Sequence, residues 1–272
     1  MALRPVARRP GRAAAGFGLK VAGQALNFES YQPGIISVLR RRYGAFTGKA
    51  AGGYRFSLTA APGSQSPFRP AVAASGDRLE IGRGDFRAVI GPGRKAELTA
   101  APSEQTLDAF LRSFLSFLLL RAGGFMLHSA GLVKNDRAYL FLGKSGAGKS
   151  TLSKLAAAAG LEVISDEINL VRPGSNGFRA YGSPFWGEMR ADGRPGSWPL
   201  GGVFLLKKAR RNRVSGCKPV EALRLLLRCA VNFDRAPASA ALALENGAAL
   251  LAGAAFRRLE FSKADGSFLE LI

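Results

Sequence analysis

Cysteine is nearly missing from this 272-residue chain, which holds only Cys217 and Cys229. Neither falls in a metal-ligand or redox spacing, so a disulfide framework is excluded and both read as reduced packing residues of a cytoplasmic protein. Long apolar runs are missing as well. The best stretch, 107–120, is broken by Asp108 and Arg112 and falls short of the ~18 uncharged residues of a membrane span. It reads as a buried amphipathic helix, and no membrane partner is expected. Acidic residues are scarce: 19 Asp and Glu stand against 39 Lys and Arg, a net charge of +20. No helix-turn-helix signature or aromatic-and-basic RNA motif accompanies that surplus, so a nucleic-acid partner is not expected. The arginines are spread along the chain with modest clusters at 40–42 and 207–213. Such a surface attracts acidic ligands or peptide substrates over long range, or is simply solvated. No internal repeat is visible. Residues 1–15 carry Arg4, Arg8, Arg9 and Arg12, no acid and no apolar core. A secretory signal is therefore not expected, and the segment reads as a disordered basic tail.

What is present is a glycine-rich run, Gly143-Lys144-Ser145-Gly146-Ala147-Gly148-Lys149-Ser150-Thr151, which fits the pattern G-x-x-x-x-G-K-[ST]. A loop of this kind wraps a polyphosphate in backbone N–H groups. It places a lysine, here Lys149, on the β- and γ-phosphates, and offers a hydroxyl, here Ser150, to Mg²⁺. Its context suits ATP·Mg²⁺. Residues 138–142 read as a short buried strand, and 149–159 as a helix with Leu152 and Leu155 on one face and Gly160 as its stop. The helix N-terminus then points its free N–H groups at the phosphates.

The residues up to Pro102 show period-two patterning, with Phe17, Leu19 and Val21, then Tyr54, Phe56 and Leu58. Segments 86–90 and 95–99 flank Gly91-Pro92-Gly93-Arg94 and read as a hairpin. This gives a β-rich N-terminal portion, 16–122, closed by a helix over 103–122 that stops at Gly123-Gly124. The portion 123–272 holds the nucleotide motifs. Strands are expected at 125–133, 161–165, 168–172, 178–181 and 203–206, a helix at 220–231, and at least one closing strand after Arg257. The fold class is α/β with α+β character.

Three further groups can share a phosphoryl-transfer site. Asp166-Glu167 follow the strand after the loop helix, where strand ends can face one nucleotide. One carboxylate can bind Mg²⁺ and the other can accept a hydroxyl proton, or the pair is a solvated turn. His128, the only histidine, sits on the strand before the loop strand, as a catalytic group or a packing residue. Trp186-Gly187-Glu188-Met189-Arg190 sets an acid and a base two apart. In an extended stretch both fall on one face, with Glu188 on the metal and Arg190 on the transferred phosphate, or they form a surface ion pair.

Together, His128-Ser129-Ala130-Gly131, the G-x-S-G-x-G-K-S form of the loop at 143–150 and the acidic pair Asp166-Glu167 resemble the catalytic half of the HPr serine kinase/phosphorylases. These are relatives of the ATP-type phosphoenolpyruvate carboxykinases. The resemblance covers roughly 125–171, and Glu188-Met189-Arg190 is a loose match to that family's glutamate-x-arginine. It implies an ATP- and Mg²⁺-dependent serine kinase acting on a protein or peptide, and a family that forms homo-oligomers. In it Asp166 is the base, His128 assists that acid, and Ser150 with Glu188 binds Mg²⁺, while the acid-pair reading adds Glu167 as a candidate metal donor. The chain departs from the family at Glu167, where aspartate is usual, and lacks both the full glycine-rich signature and the regulatory domain. It is closer to the shorter HPr-kinase-like proteins, some of which modify peptide precursors. Two other classes remain: a small-molecule P-loop kinase of the shikimate or gluconate type, in which the acids lead into a helix and a lid, and a non-catalytic nucleotide-sensing module.

Overall fold

The computed structural model describes residues 13–48, 51–190 and 193–272. Most of the expected basic tail lies outside the described residues, and Ala15, counted within that tail, already belongs to the first strand. The fold is mixed α/β. It divides into two compact units, Met1–Phe117 with Phe233–Arg235, and Leu118–Asn232 with Ala236–Ile272.

The first unit contains β1 (Ala15–Val21), β2 (Gln24–Ser30), α1 (Pro33–Tyr43), β3 (Tyr54–Ala60), β4 (Ala71–Ser75), β5 (Arg78–Arg83), β6 (Phe86–Ile90), β7 (Lys95–Ala100) and most of α2 (Glu104–Arg121). Its strands form one sheet in the order β1-β2-β3-β7-β6-β5-β4. β3 runs parallel to both neighbours, and β6 and β7 make an antiparallel hairpin. Period-two alternation does what the sequence implies, burying Phe17, Leu19, Val21, Phe56 and Leu58. The rings of Phe28, Phe56, Phe86, Phe110 and Phe114 meet with centroids 5.0 to 5.9 Å apart. One element departs from the β reading. Proline at the start of α1 supplies a helical φ, and Ile35, Ile36, Val38 and Leu39 are buried at helical rather than strand spacing. The basic cluster Arg40-Arg41-Arg42 is the last turn of that helix. There Arg41 pairs with Glu104 at 3.0 Å and Arg42 with Asp108 at 3.4 Å, and cations at a helix C-terminus also suit its dipole.

The second unit contains β8 (Phe125–Lys134), β9 (Arg137–Leu142), α3 (Lys149–Ala158), β10 (Glu162–Ser165), β11 (Ile168–Gly174), β12 (Gly177–Tyr181), β13 (Ser197–Lys208), β14 (Arg213–Gly216), α4 (Pro219–Cys229), α5 (Pro237–Gly253) and β15 (Phe256–Phe261). The expected strand 203–206 is the buried centre of the longer β13. Helix α5 has no counterpart in the sequence reading. Its alanine and leucine run shows almost no polar-apolar periodicity, although alanine favours helix strongly.

β13 lies parallel to both β9 and β15. β9 and β10 each run antiparallel to β8, so all four strands point the same way. Successive residues of β9 face opposite layers. Phe141 packs with Leu152 and Ala156 of α3, whereas Leu140 and Leu142 pack with Leu226 of α4 and Leu250 of α5. A sheet covered on both faces in this way offers its strand ends as the open position for a ligand. Among the described residues, no helix is long and apolar enough to cross a membrane.

Candidate functional site

The carboxyl ends of β9, β10, β13 and β15 lead into a cleft of about 950 Å³. After Leu142 the chain turns through the glycine-rich loop into α3. Gly146 and Gly148 take positive φ values of 74° and 107°, a region that side chains strain to occupy. Gly143 is forced to be glycine by proximity, since a Cβ there would lie 2.7 Å from that of Ala147. Gly148 caps α3 from the left-handed region with no side-chain acceptor over the helix N-terminus, so the first N–H groups of α3 have no side-chain cap. The whole stretch Ser145 to Thr151 lines the cleft.

Lys149 is 8% exposed and donates from Nζ to the carbonyls of Gly143 at 3.0 Å and Lys144 at 3.4 Å. Burial holds its ammonium below the usual lysine range, and the neighbouring Cys229 and Glu167 oppose that shift. Cys229, at the end of α4, lies against the backbone of Gly143 and beside Lys149. Burial pushes its thiol up, against the pull of those two neighbours, as expected for a reduced packing residue.

The acid pair lies on the same cleft, but its two members differ. Asp166 is 5% exposed, and its two oxygens accept the backbone N–H of Gly187 at 3.0 Å and of Met189 at 3.1 Å. Its carboxylate thus ties the 187–189 turn to the end of β10. That turn comes so close that a Cβ on Gly187 would lie 2.9 Å from that of Glu167. Glu167 is half-buried and lines the cleft. The base role that the resemblance implies for Asp166 meets this tether, a first task that the sequence does not reveal.

Below the pair, Ser165 holds the turn. Its hydroxyl donates to the Phe185 carbonyl at 2.9 Å and accepts the N–H of Glu167 at 3.1 Å and of Ile168 at 3.0 Å. Fully buried Asn169 donates to the Ser129 carbonyl at 2.7 Å and to its hydroxyl at 3.0 Å. These contacts fix β11 against β8, where Ile168 faces His128 in register. His128 is exposed and on the cleft wall, so it is not a packing residue of the core.

Glu188 and Arg190 both reach the cleft, by another geometry than the extended stretch envisaged. The segment is a turn in which Arg190 N–H donates to the Gly187 carbonyl at 3.3 Å, with Arg190 at a φ of 48°. The Glu188 carboxylate lies 3.8 Å from Lys154 on α3 and is largely exposed, at the rim of the cleft. Four cleft residues escaped the sequence reading, namely Lys208, Ala209, Phe261 and Lys263. Lys208 belongs to the 207–213 basic cluster, and the pairing of β13 with β9 brings it beside the loop. Neither protein-family models nor curated proteins match this chain.

Proposed function

We propose that the chain is an ATP-dependent kinase that transfers the γ-phosphate of ATP to a serine hydroxyl on a protein or peptide, as the HPr-kinase-like proteins it resembles do. One observation carries this reading. A glycine-rich loop with Lys149 and Ser150, and an acid pair with His128, line a single cleft at the ends of co-directed strands. The free amides at the start of α3 suit phosphate oxygens, and Lys149 would exchange its two loop carbonyls for the β- and γ-phosphates. The hard oxygen of Ser150 fits Mg²⁺, which takes few protein ligands and shares the rest of its shell between phosphates and water. When bound, Mg²⁺ would draw charge from the phosphate oxygens.

Asp166 has both oxygens on backbone amides of the turn, so its neighbour Glu167, on the cleft wall, is assigned to the acceptor. In the transfer, the serine oxygen attacks the γ-phosphorus, its proton passes to Glu167, and the β–γ bridging oxygen leaves with ADP. Asp166 keeps the 187–190 turn over the site, and Arg190 at the rim would steady the transferred group. His128 beside the acids is a second group able to move a proton. The acids continue into the β11–β12 hairpin, which favours this reading over a small-molecule kinase whose acids lead into a lid.

The test is phosphate transfer from ATP to serine peptides, followed by mass spectrometry. Glu167→Gln should lose about 10²-fold or more in rate while keeping ATP affinity. An unchanged rate would remove Glu167 as the base. A parent protein that binds ATP yet phosphorylates no peptide would favour the nucleotide-sensing module.

A further inference from the structure

A second hollow, of about 560 Å³, shares Ser145, Gly146, Ala147 and Lys208 with the cleft and extends from them along α4. Leu205, Leu206 and Leu225 give it an apolar wall. Its charged residues are strongly one-sided, with Lys144, Lys207, Lys208, Arg224, Arg228 and Arg258 against the single carboxylate of Glu221. Glu221 is taken by Arg258, and Lys207 pairs outside the hollow with Glu260 at 3.3 Å. Among the described residues, no carboxylate pairs with Lys144, Lys208, Arg224 or Arg228. Arg224 and Arg228 stand one turn apart on α4, so their exposed guanidinium groups lie along one line.

We infer that this basic groove docks an acidic segment of the phosphoryl acceptor, with Asp and Glu side chains along α4 and the acceptor serine reaching past the loop to Glu167. The inference deepens the proposed function and rests on it. Charge complementarity selects the occupant. A nucleoside base is uncharged and leaves four unpaired cations without a partner, whereas carboxylates on an extended chain recur at a spacing that successive cations can meet. Continuity with the cleft supplies the second reason, since Lys208 and the loop belong to both hollows. Guanidinium groups suit this task because they bind carboxylates through two parallel hydrogen bonds.

The experiment uses the full chain, a fluorescent synthetic peptide rich in Glu and Asp around one serine, and a control in which those acids are Gln and Asn. Fluorescence anisotropy should show the acidic peptide binding at least about tenfold tighter than the control and weakening steeply with added salt. The double variant Arg224→Gln/Arg228→Gln, changed only at exposed positions, should bind the acidic peptide about tenfold more weakly. Its melting temperature, its affinity for the control peptide and its ATP affinity by calorimetry should match the parent. Equal binding of the two peptides, or an unchanged affinity in the variant, would overturn the inference while leaving ATP binding and the kinase reading intact. A parallel loss of ATP affinity would assign the groove to the nucleoside and overturn it as well. Failure of the parent to bind ATP would instead strike the proposed function itself.

Discussion

Both units bury charge, and they do so in opposite ways. In the first, Arg83 grips Asp85 through two bonds of 2.6 and 2.7 Å, and Thr106 donates to the same carboxylate at 2.6 Å. The side chains of that pair are 5% and 1% exposed, so every charge is met by a permanent partner. In the second unit, the buried Lys149 ammonium donates to the carbonyls of its own loop, and Asp166 holds backbone amides of a turn. Charges that satisfy one another serve the fold. Charges held by backbone groups beside a cleft remain available to, or position, something that arrives later.

This contrast can be broken by experiment. The largest effect should come from Asp85→Ala, which strands Arg83 in the interior of the first unit. Denaturant melts should show a loss of about 3–5 kcal/mol, while ATP affinity of the folded protein stays unchanged. The acid limb should report the same pair. Burial raises the Asp85 carboxyl, but hydrogen bonds from Arg83 and Thr106 outweigh it and leave the group below its ordinary value of 3.8. Its stabilisation is therefore complete above that ordinary value and is lost as pH falls through the lower folded value. A melt of Asp85→Ala with an undiminished acid transition would count against the pair.

Next, Lys149→Ala should cost about 10²-fold or more in ATP·Mg²⁺ affinity by calorimetry. Its melting temperature should fall only modestly, because the side chain removed lines the cleft and leaves space through which water can meet the freed carbonyls. A large loss of stability with ATP affinity retained would make Lys149 a structural residue like Arg83 and erase the contrast. The smallest effect should come from Gly187→Ala. The added methyl crowds both acids, so transfer should fall about tenfold for about 1 kcal/mol of stability. Unchanged transfer would show that the turn does not set the position of Glu167.

Local signals carried much of this into the sequence. The loop, the strands at 125–133 and 138–142 and the 168–181 hairpin follow from short-range patterns, and so does the 86–99 hairpin. Helix α1 was hidden because buried Ile35 and Ile36 stand side by side after Pro33-Gly34, which mimics a turn followed by a strand. Helix α5 was hidden because a helix of alanine and leucine has no polar face to mark its period. In the candidate site, the loop residues, the acid pair and His128 were readable as a group. The tether from Asp166 to Gly187 and Met189 was not, since it joins residues more than twenty positions apart through main-chain atoms. The contact of Asn169 with Ser129 crosses forty positions and was equally invisible.

Lys149 bound to its own loop also bears on which anions the cleft admits. Two neutral carbonyls already solvate the ammonium, so an anion that takes it must offer more than they do, which a phosphate does through its charge. A chain of phosphates offers most, because it can meet the lysine and the amides of α3 together. Self-solvation of the lysine thus keeps a buried charge satisfied until, under the proposed function, a polyphosphate arrives.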